Sequence, residues 1–275
     1  MCVACAMFPV MNSLVKLLTA VYPFEEVVWV RVTVHLVLVS AVFLPRRGLA
    51  LVRTRHPVQQ LICSLGLLGA TFFFFAVARY VGVAEAIAIS FVAPLIIVFL
   101  AWPFLGERIT VVRLASVVVG FAGVLIIIRP GSSVFQWATL SIVASAASYA
   151  IYQVMIRRLA AFDHSSTTVF YSAFGCSVVM SVLAPFGWKA PDNWANIGLL
   201  GLLGFLGGFG HYCLARALSY APANLIGPFN YAQMIGAVIV GYFMFGEIPD
   251  AYTWLGSAVI VAAGLMVGWA GRKNF

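Results

Sequence analysis

Apolar residues dominate this chain in runs of about 18 to 25, and polar or charged residues interrupt them at short intervals from one end to the other. A helix needs roughly 20 apolar residues to cross about 30 Å of hydrocarbon, so each run is long enough to span a bilayer. Breaking the chain at charges, prolines and glycines predicts ten spans, at 2–21, 27–44, 58–78, 83–104, 110–128, 134–156, 166–186, 195–215, 221–245 and 251–270. The weakest break separates the third span from the fourth, where Arg79, Tyr80 and Gly82 alone interrupt the run. The first run begins at residue 2 and is short, which suggests a slightly truncated first helix. The pattern therefore predicts an all-α membrane protein.

Composition removes the soluble alternative. Hydrophobic residues make up 63% of the 275 and charged residues 9%, against roughly 25% charged in an ordinary globular chain. The net charge of +8 does not imply nucleic acid, because the basic residues sit in short loops and form no continuous stripe. Instead they orient the chain. With the N-terminus cytoplasmic, the inner loops and tail hold eleven Lys and Arg (Arg46 and Arg47 to Arg272 and Lys273), and the outer loops hold three (Arg79, Arg129 and Lys189). That asymmetry satisfies the positive-inside rule. It places a multi-pass protein in a bacterial inner membrane with both termini cytoplasmic.

The two halves resemble each other. Ala78-Arg79 and Ala84-Glu85-Ala86 return as Ala215-Arg216 and Ala221-Pro222-Ala223, 137 residues later. Leu105-Gly106-Glu107 returns as Phe245-Gly246-Glu247, and Ala122-Gly123-Val124 as Ala263-Gly264-Leu265, at offsets of 140 and 141. The expected domains are therefore 1–131 and 132–275, each a five-helix repeat. An odd number of spans turns the second repeat over, which gives two inverted repeats and favours alternating access.

Candidate chemistry lies in the polar residues inside spans, because an ionisable group near a helix centre costs roughly 2.5–3.5 kcal/mol on insertion scales. Asn12 and Lys16 share a face of the first span, and Arg31 and His35 share a face of the second. They form either a cationic patch facing a cavity, or snorkelling cations paired with Glu25 or Glu26. Glu85 is a carboxylate within a helix and a candidate for proton coupling. Pro94 and Pro228 should kink the fourth and ninth spans by removing the donors to Ser90 and Asn224. Asn230, Tyr231 and Gln233 follow the second kink, and kinked helices lining a cavity are where carriers bind cargo. The sixth span bears Ser141, Ser145, Ser148 and Tyr152 as one stripe; its serines suit close packing, while Tyr152 and Gln153 are the better cargo contacts. Gly204 and Gly208 form a packing GxxxG, and His211 reads as interfacial at the inner end of span eight.

Five cysteines, an odd number, lie in apolar segments and predict no disulfide framework. No HExxH, GxSxG or phosphate-binding loop followed by Lys is present, so neither metal nor cofactor is expected. A membrane-embedded enzyme and a passive channel are the alternatives to a carrier.

The Gly-Glu boundaries, the ten spans and the stretch from Ala221-Pro222-Ala223 through Pro228, Tyr231 and Gln233 to Gly246-Glu247 resemble the EamA-type drug/metabolite transporter superfamily over nearly the whole chain. Lys16 and Arg31 stand where many members carry basic residues. The resemblance is nearest the branch that includes riboflavin and S-adenosylmethionine carriers. It implies a secondary transporter, not an enzyme, with a central cavity for a small-molecule substrate, acting as a monomer or homodimer in the lipid bilayer. The sparse buried acids favour a neutral-aromatic, zwitterionic or anionic cargo, flavin or amino-acid-like. One departure is Met234, which stands where the first half has Pro94.

Overall fold

The computed structural model describes residues 1–106, 111–129, 137–221, 229–230 and 232–272. These are built from helices: α1 (Cys2–Thr19), α2 (Phe24–Arg47), α3 (Pro57–Val77), α4 (Val83–Ser90), α5 (Val92–Leu105), α6 (Val111–Ile128), α7 (Trp137–Leu159), α8 (Ser165–Leu183), α9 (Trp194–Tyr220), α10 (Ala232–Phe245) and α11 (Ala251–Arg272). Counting α4 and α5 as one interrupted span gives ten. Among the described residues, seven spans are long and apolar enough to cross a bilayer, and the stretches Leu114–Ile128, Ala232–Phe245 and Ala251–Met266 are shorter apolar helices.

Local sequence explains where the helices start and stop. Pro23 precedes α2, and Glu25 and Glu26 in its first turn complement the helix N-terminus. Arg46 and Arg47 do the same for its C-terminus. Pro57 opens α3, where a missing N–H costs nothing. The side chain of Asn193 accepts from the Asn196 N–H to cap α9. Gly106 (φ 71°) and Gly246 (φ 68°) end α5 and α10 in the left-handed conformation that favours glycine. The two Gly-Glu boundaries thus start from equivalent backbone turns.

The fourth span breaks where Pro94 requires. Pro94 has no N–H for the carbonyl of Ser90, and α4 ends at Ser90 with Phe91 between it and α5. The Ser90 hydroxyl turns back to the Ala86 carbonyl at 2.8 Å. Pro228 and Tyr231 lie outside the described residues, and so does Glu107.

Helices of the first half pack mainly on helices of the second, so the halves interleave. Along α3 and α7, Ser141 donates to the Phe73 carbonyl (2.8 Å) and Ser145 to the Ala70 carbonyl (2.6 Å). Gly66 and Gly69 let the two backbones approach. The serine stripe is a packing seam along much of its length. Gly204 and Gly208 of α9 seat α2 in the same way: a Cβ on Gly204 would lie 2.3 Å from Cβ of Val34, and one on Gly208 would lie 3.0 Å from the His35 ring. Helix α11 packs chiefly on α6, with Gly123 and Gly256 at the crossing. Large apolar side chains such as Val118, Val182 and Phe243 point outward, as a lipid-facing surface demands.

Hydrogen bonds tie the halves at both ends of the bundle. At one end, Thr54 and the Gln60 amide both donate to Asp163, at 2.6 and 2.8 Å, and Arg47 donates to Ser166 at 2.8 Å. At the other, Lys16 pairs with Glu247. Because Glu247 meets Val83 at the start of the fourth span, Gly246 and Gly106 lie at opposite ends of that span and of the bundle.

Candidate functional site: a cavity between the halves

The cavity of about 120 Å³ is bounded by α1 to α5 on one side and by α7, α9, Asn230 and Gln233 on the other. The broken span supplies Ser90, Phe91 and Pro94. Breaking the helix here frees backbone that an intact helix would have sealed, and it does so near the midpoint of the span.

Arg31 is the cation that lines this space among the described residues. It is 1% exposed. Its Nη1 donates to the Thr71 hydroxyl at 3.1 Å, and its Nη2 to Nε2 of His211 at 2.8 Å. A guanidinium only donates, so His211 accepts at Nε2 and holds its own proton on Nδ1. Nε of Arg31 lies beside Gly207, where an added Cβ would come within 3.0 Å. The guanidinium also sits 5.7 Å from the centroid of the Phe75 ring. Around His211 stand Phe8 (5.1 Å), Tyr152 (5.4 Å), Tyr149 (6.4 Å) and, stacked nearly parallel, His35 (6.1 Å).

Of the residues expected at the site, Asn12, Arg31, Gln153, Asn230, Gln233 and Pro94 line the cavity. The Gln233 amide donates to Oδ1 of Asn230 at 3.1 Å, which fixes the orientation of the Asn230 side chain. Tyr152 and His35 are fully buried behind the wall, packed on His211. Tyr149, one turn before Gln153, takes the lining position that the sequence suggested for Tyr152. His211 was expected at an interface; it is buried at the centre, because α9 continues to Tyr220 rather than ending near 215.

Lys16 does not line the cavity, and its partner is neither Glu25 nor Glu26. It donates to the Val81 carbonyl at 2.9 Å, forms an ion pair with Glu247, and lies 5.2 Å from the Phe245 ring centroid. The other carboxylate oxygen of Glu247 accepts from the Val83 N–H at 3.0 Å, on the first turn of α4. Glu85, in that same first turn, stands beside this ion pair at the mouth of the bundle and does not line the cavity. The expected cationic patch is thus two separate features: a buried guanidinium in the cavity, and an ammonium that clasps α1, α4 and the end of α10 together.

Comparison with known proteins agrees with this architecture. A crystal structure superposes with a TM-score of 0.70 over 99% of this chain and 98% of its own, at 20% identity, a likeness of fold. A riboflavin transporter of Rhizobium johnstonii is 32% identical over 84% of this chain and 76% of its own. An S-adenosylmethionine uptake transporter of Rickettsia prowazekii is 28% identical over 70% of this chain and 65% of its own. The pseudopaline exporter CntI of Pseudomonas aeruginosa is 29% identical over 93% and 90%. The riboflavin and S-adenosylmethionine names are those of the branch the sequence resembles. The family model of EamA-like transporters matches twice, at residues 1–129 and 136–269. The chain is a multi-pass membrane protein of the EamA-like transporter family.

Proposed function

We propose that this chain is a secondary carrier, not an enzyme, that moves a small organic metabolite across a bacterial inner membrane by alternating access. The observation that carries this reading is the cavity shared by the two halves and flanked by inter-half contacts at both ends. A permanent channel needs neither the broken helix nor a clasp across its mouth. Residues 1–131 and 132–275 act as inverted repeats with both termini cytoplasmic. The opposed ends of Gly106 and Gly246 and the distribution of Lys and Arg support this topology.

The lining supports a cargo that is neutral-aromatic, zwitterionic or anionic, because aromatic rings and a guanidinium face the space and, among the described residues, no carboxylate does. Relatives named for riboflavin, S-adenosylmethionine uptake and pseudopaline export include both directions of transport. At about 120 Å³ the cavity is below the roughly 300–1,000 Å³ that bury a drug-sized ligand. A flavin-sized cargo therefore enters only when the halves part, whereas an amino-acid-like one needs less opening.

The test is uptake of labelled riboflavin, S-adenosylmethionine and amino acids into proteoliposomes of the purified chain, with and without a proton gradient. Saturable flux of at least one compound is expected. Flux of none, in either direction, sinks the carrier reading.

A further inference from the structure

Resting on the carrier reading, we infer that the guanidinium of Arg31 is the docking point for a carboxylate, so that the cargo is an organic monoacid with an apolar or aromatic body. Arg31 is buried, and its guanidinium can only donate hydrogen bonds. Both hydrogen-bond partners in the structure, Thr71 and His211, are neutral. No Asp or Glu is among the cavity-lining residues, and no salt bridge joins Arg31 to a carboxylate among the described residues. A buried unpaired cation is costly in a membrane protein and marks a site completed by something else.

The orphan polar atoms point the same way. Two of the five guanidinium hydrogens are used, and Nε is turned against Gly207. That leaves one hydrogen on each Nη, together with Nε, which is buried without a hydrogen-bond partner, for the acceptor oxygens of a carboxylate. The amide nitrogens of Gln153 and Asn230 are buried, line the same cavity and have no partner. The unsatisfied groups facing the space are thus donors, and a ligand that satisfies them brings acceptors. Phe8, Phe74, Phe75 and Tyr149 supply aromatic wall that accepts an apolar body. A dianionic phosphate fits less well, since one guanidinium leaves a negative charge uncompensated in a low-dielectric site.

The competing explanation is a brace: Arg31 ties α2 to Thr71 on α3 and His211 on α9, with no role toward ligand. The two explanations differ in what they require of the ligand. The experiment measures thermal stabilisation of the purified full chain by matched pairs, L-phenylalanine against L-phenylalaninamide and phenylacetate against phenylacetamide, with phenyl phosphate as a third arm. The acids should bind about ten- to hundred-fold more tightly than their amides, the worth of a charge-assisted hydrogen bond. Arg31→Gln should erase that preference, and Arg31→Lys should keep part of it. The wild-type comparison needs no variant, so a folding defect in either mutant does not spoil it.

Equal binding of acid and amide, stabilisation by no member of the panel, or a preference for phenyl phosphate each overturns the carboxylate site. Counterflow of the tightest-binding acid in proteoliposomes then separates the two readings. Binding of the acid, with flux neither of it nor of any compound of the uptake panel, overturns the carrier and leaves the site standing. Flux of the amide as fast as the acid overturns the site and leaves the carrier.

Discussion

Lys16 and Glu247 form an ion pair between the last turn of α1 and the residue that follows the Gly246 cap, 231 positions apart in the chain and in different halves of the molecule. Their side chains are 16% and 29% exposed, so the pair is partly shielded from water. Glu247 also holds the first N–H of α4, and Lys16 holds the carbonyl of Val81. One clasp therefore gathers three helices at the mouth nearest the fourth span's N-terminus.

Lys16→Ala and Glu247→Gln should each loosen this mouth without preventing insertion. A half-buried pair of this kind contributes on the order of 1 kcal/mol, a shift of about five-fold between closed and open populations. Reactivity of a cysteine placed at Asn12 toward a membrane-impermeant thiol reagent reads that shift. The double mutant should add little to either single mutant; full additivity means the two residues act separately.

The seat of α2 on α9 is tight enough to test with one methyl group. Gly204→Ala places Cβ against Val34 and should destabilise the protein by about 1–3 kcal/mol. Thermal unfolding in detergent measures it. Val34→Ala in the same chain should recover most of the loss, and no recovery means the crowding lies elsewhere.

Pro94→Ala restores the donor to Ser90 and should straighten the fourth span across Phe91. Transport should fall several-fold while the amount of protein in the membrane is unchanged. Undiminished flux shows that the break has no part in the cycle.

Topology is open to direct labelling. In a cysteine-free background, Ile248→Cys should react from the periplasmic face and Arg53→Cys from the cytoplasmic face; both native side chains are exposed. Reaction of both from one face contradicts the proposed orientation.

Asp250 lies outside the spans, just before α11. Burial opposes its charge, but hydrogen bonds from Thr253 and the neighbouring Arg129 outweigh that and hold its carboxyl below the usual aspartate value. A folded-state value below the unfolded one gives stability that is present above about pH 3.9 and fades as pH falls through the folded value. Acid unfolding of Asp250→Asn should therefore show a shallower loss below about pH 4. An unchanged profile places the acid sensitivity in other carboxylates.

How much of this is legible in the sequence depends on whether the cause is local. The break at Phe91 follows from Pro94, a steric effect four residues long, and the helix ends at Gly106 and Gly246 follow from the left-handed turn. Span count and the packing role of Gly204 and Gly208 are equally local. The partner of Lys16 is not, because Glu25 and Glu26 are nearer in the chain and nothing in hydropathy brings Glu247 to it. His211 was misplaced because Arg216 reads as the end of a span, whereas its side chain reaches Tyr220 on the same helix and the helix runs on. The choice between Tyr149 and Tyr152 depends on how far α7 is rotated about its axis. Its serine stripe indicates the face toward α3, and the face toward the cavity is set by where α9 and α5 stop it.

The crossing of α6 and α11 carries a mechanical consequence. Gly123 and Gly256 meet with so little clearance that a Cβ on either would lie within 2.8 Å of the other's carbonyl oxygen. The final spans of the two halves are thus pressed backbone to backbone at one point, while the clasp at Lys16 is a removable contact between side chains. In the proposed alternating-access cycle, this close backbone contact would serve as the pivot and the side-chain clasp as the lip that lifts. Two residues with no side chain would thereby set the axis of the proposed motion.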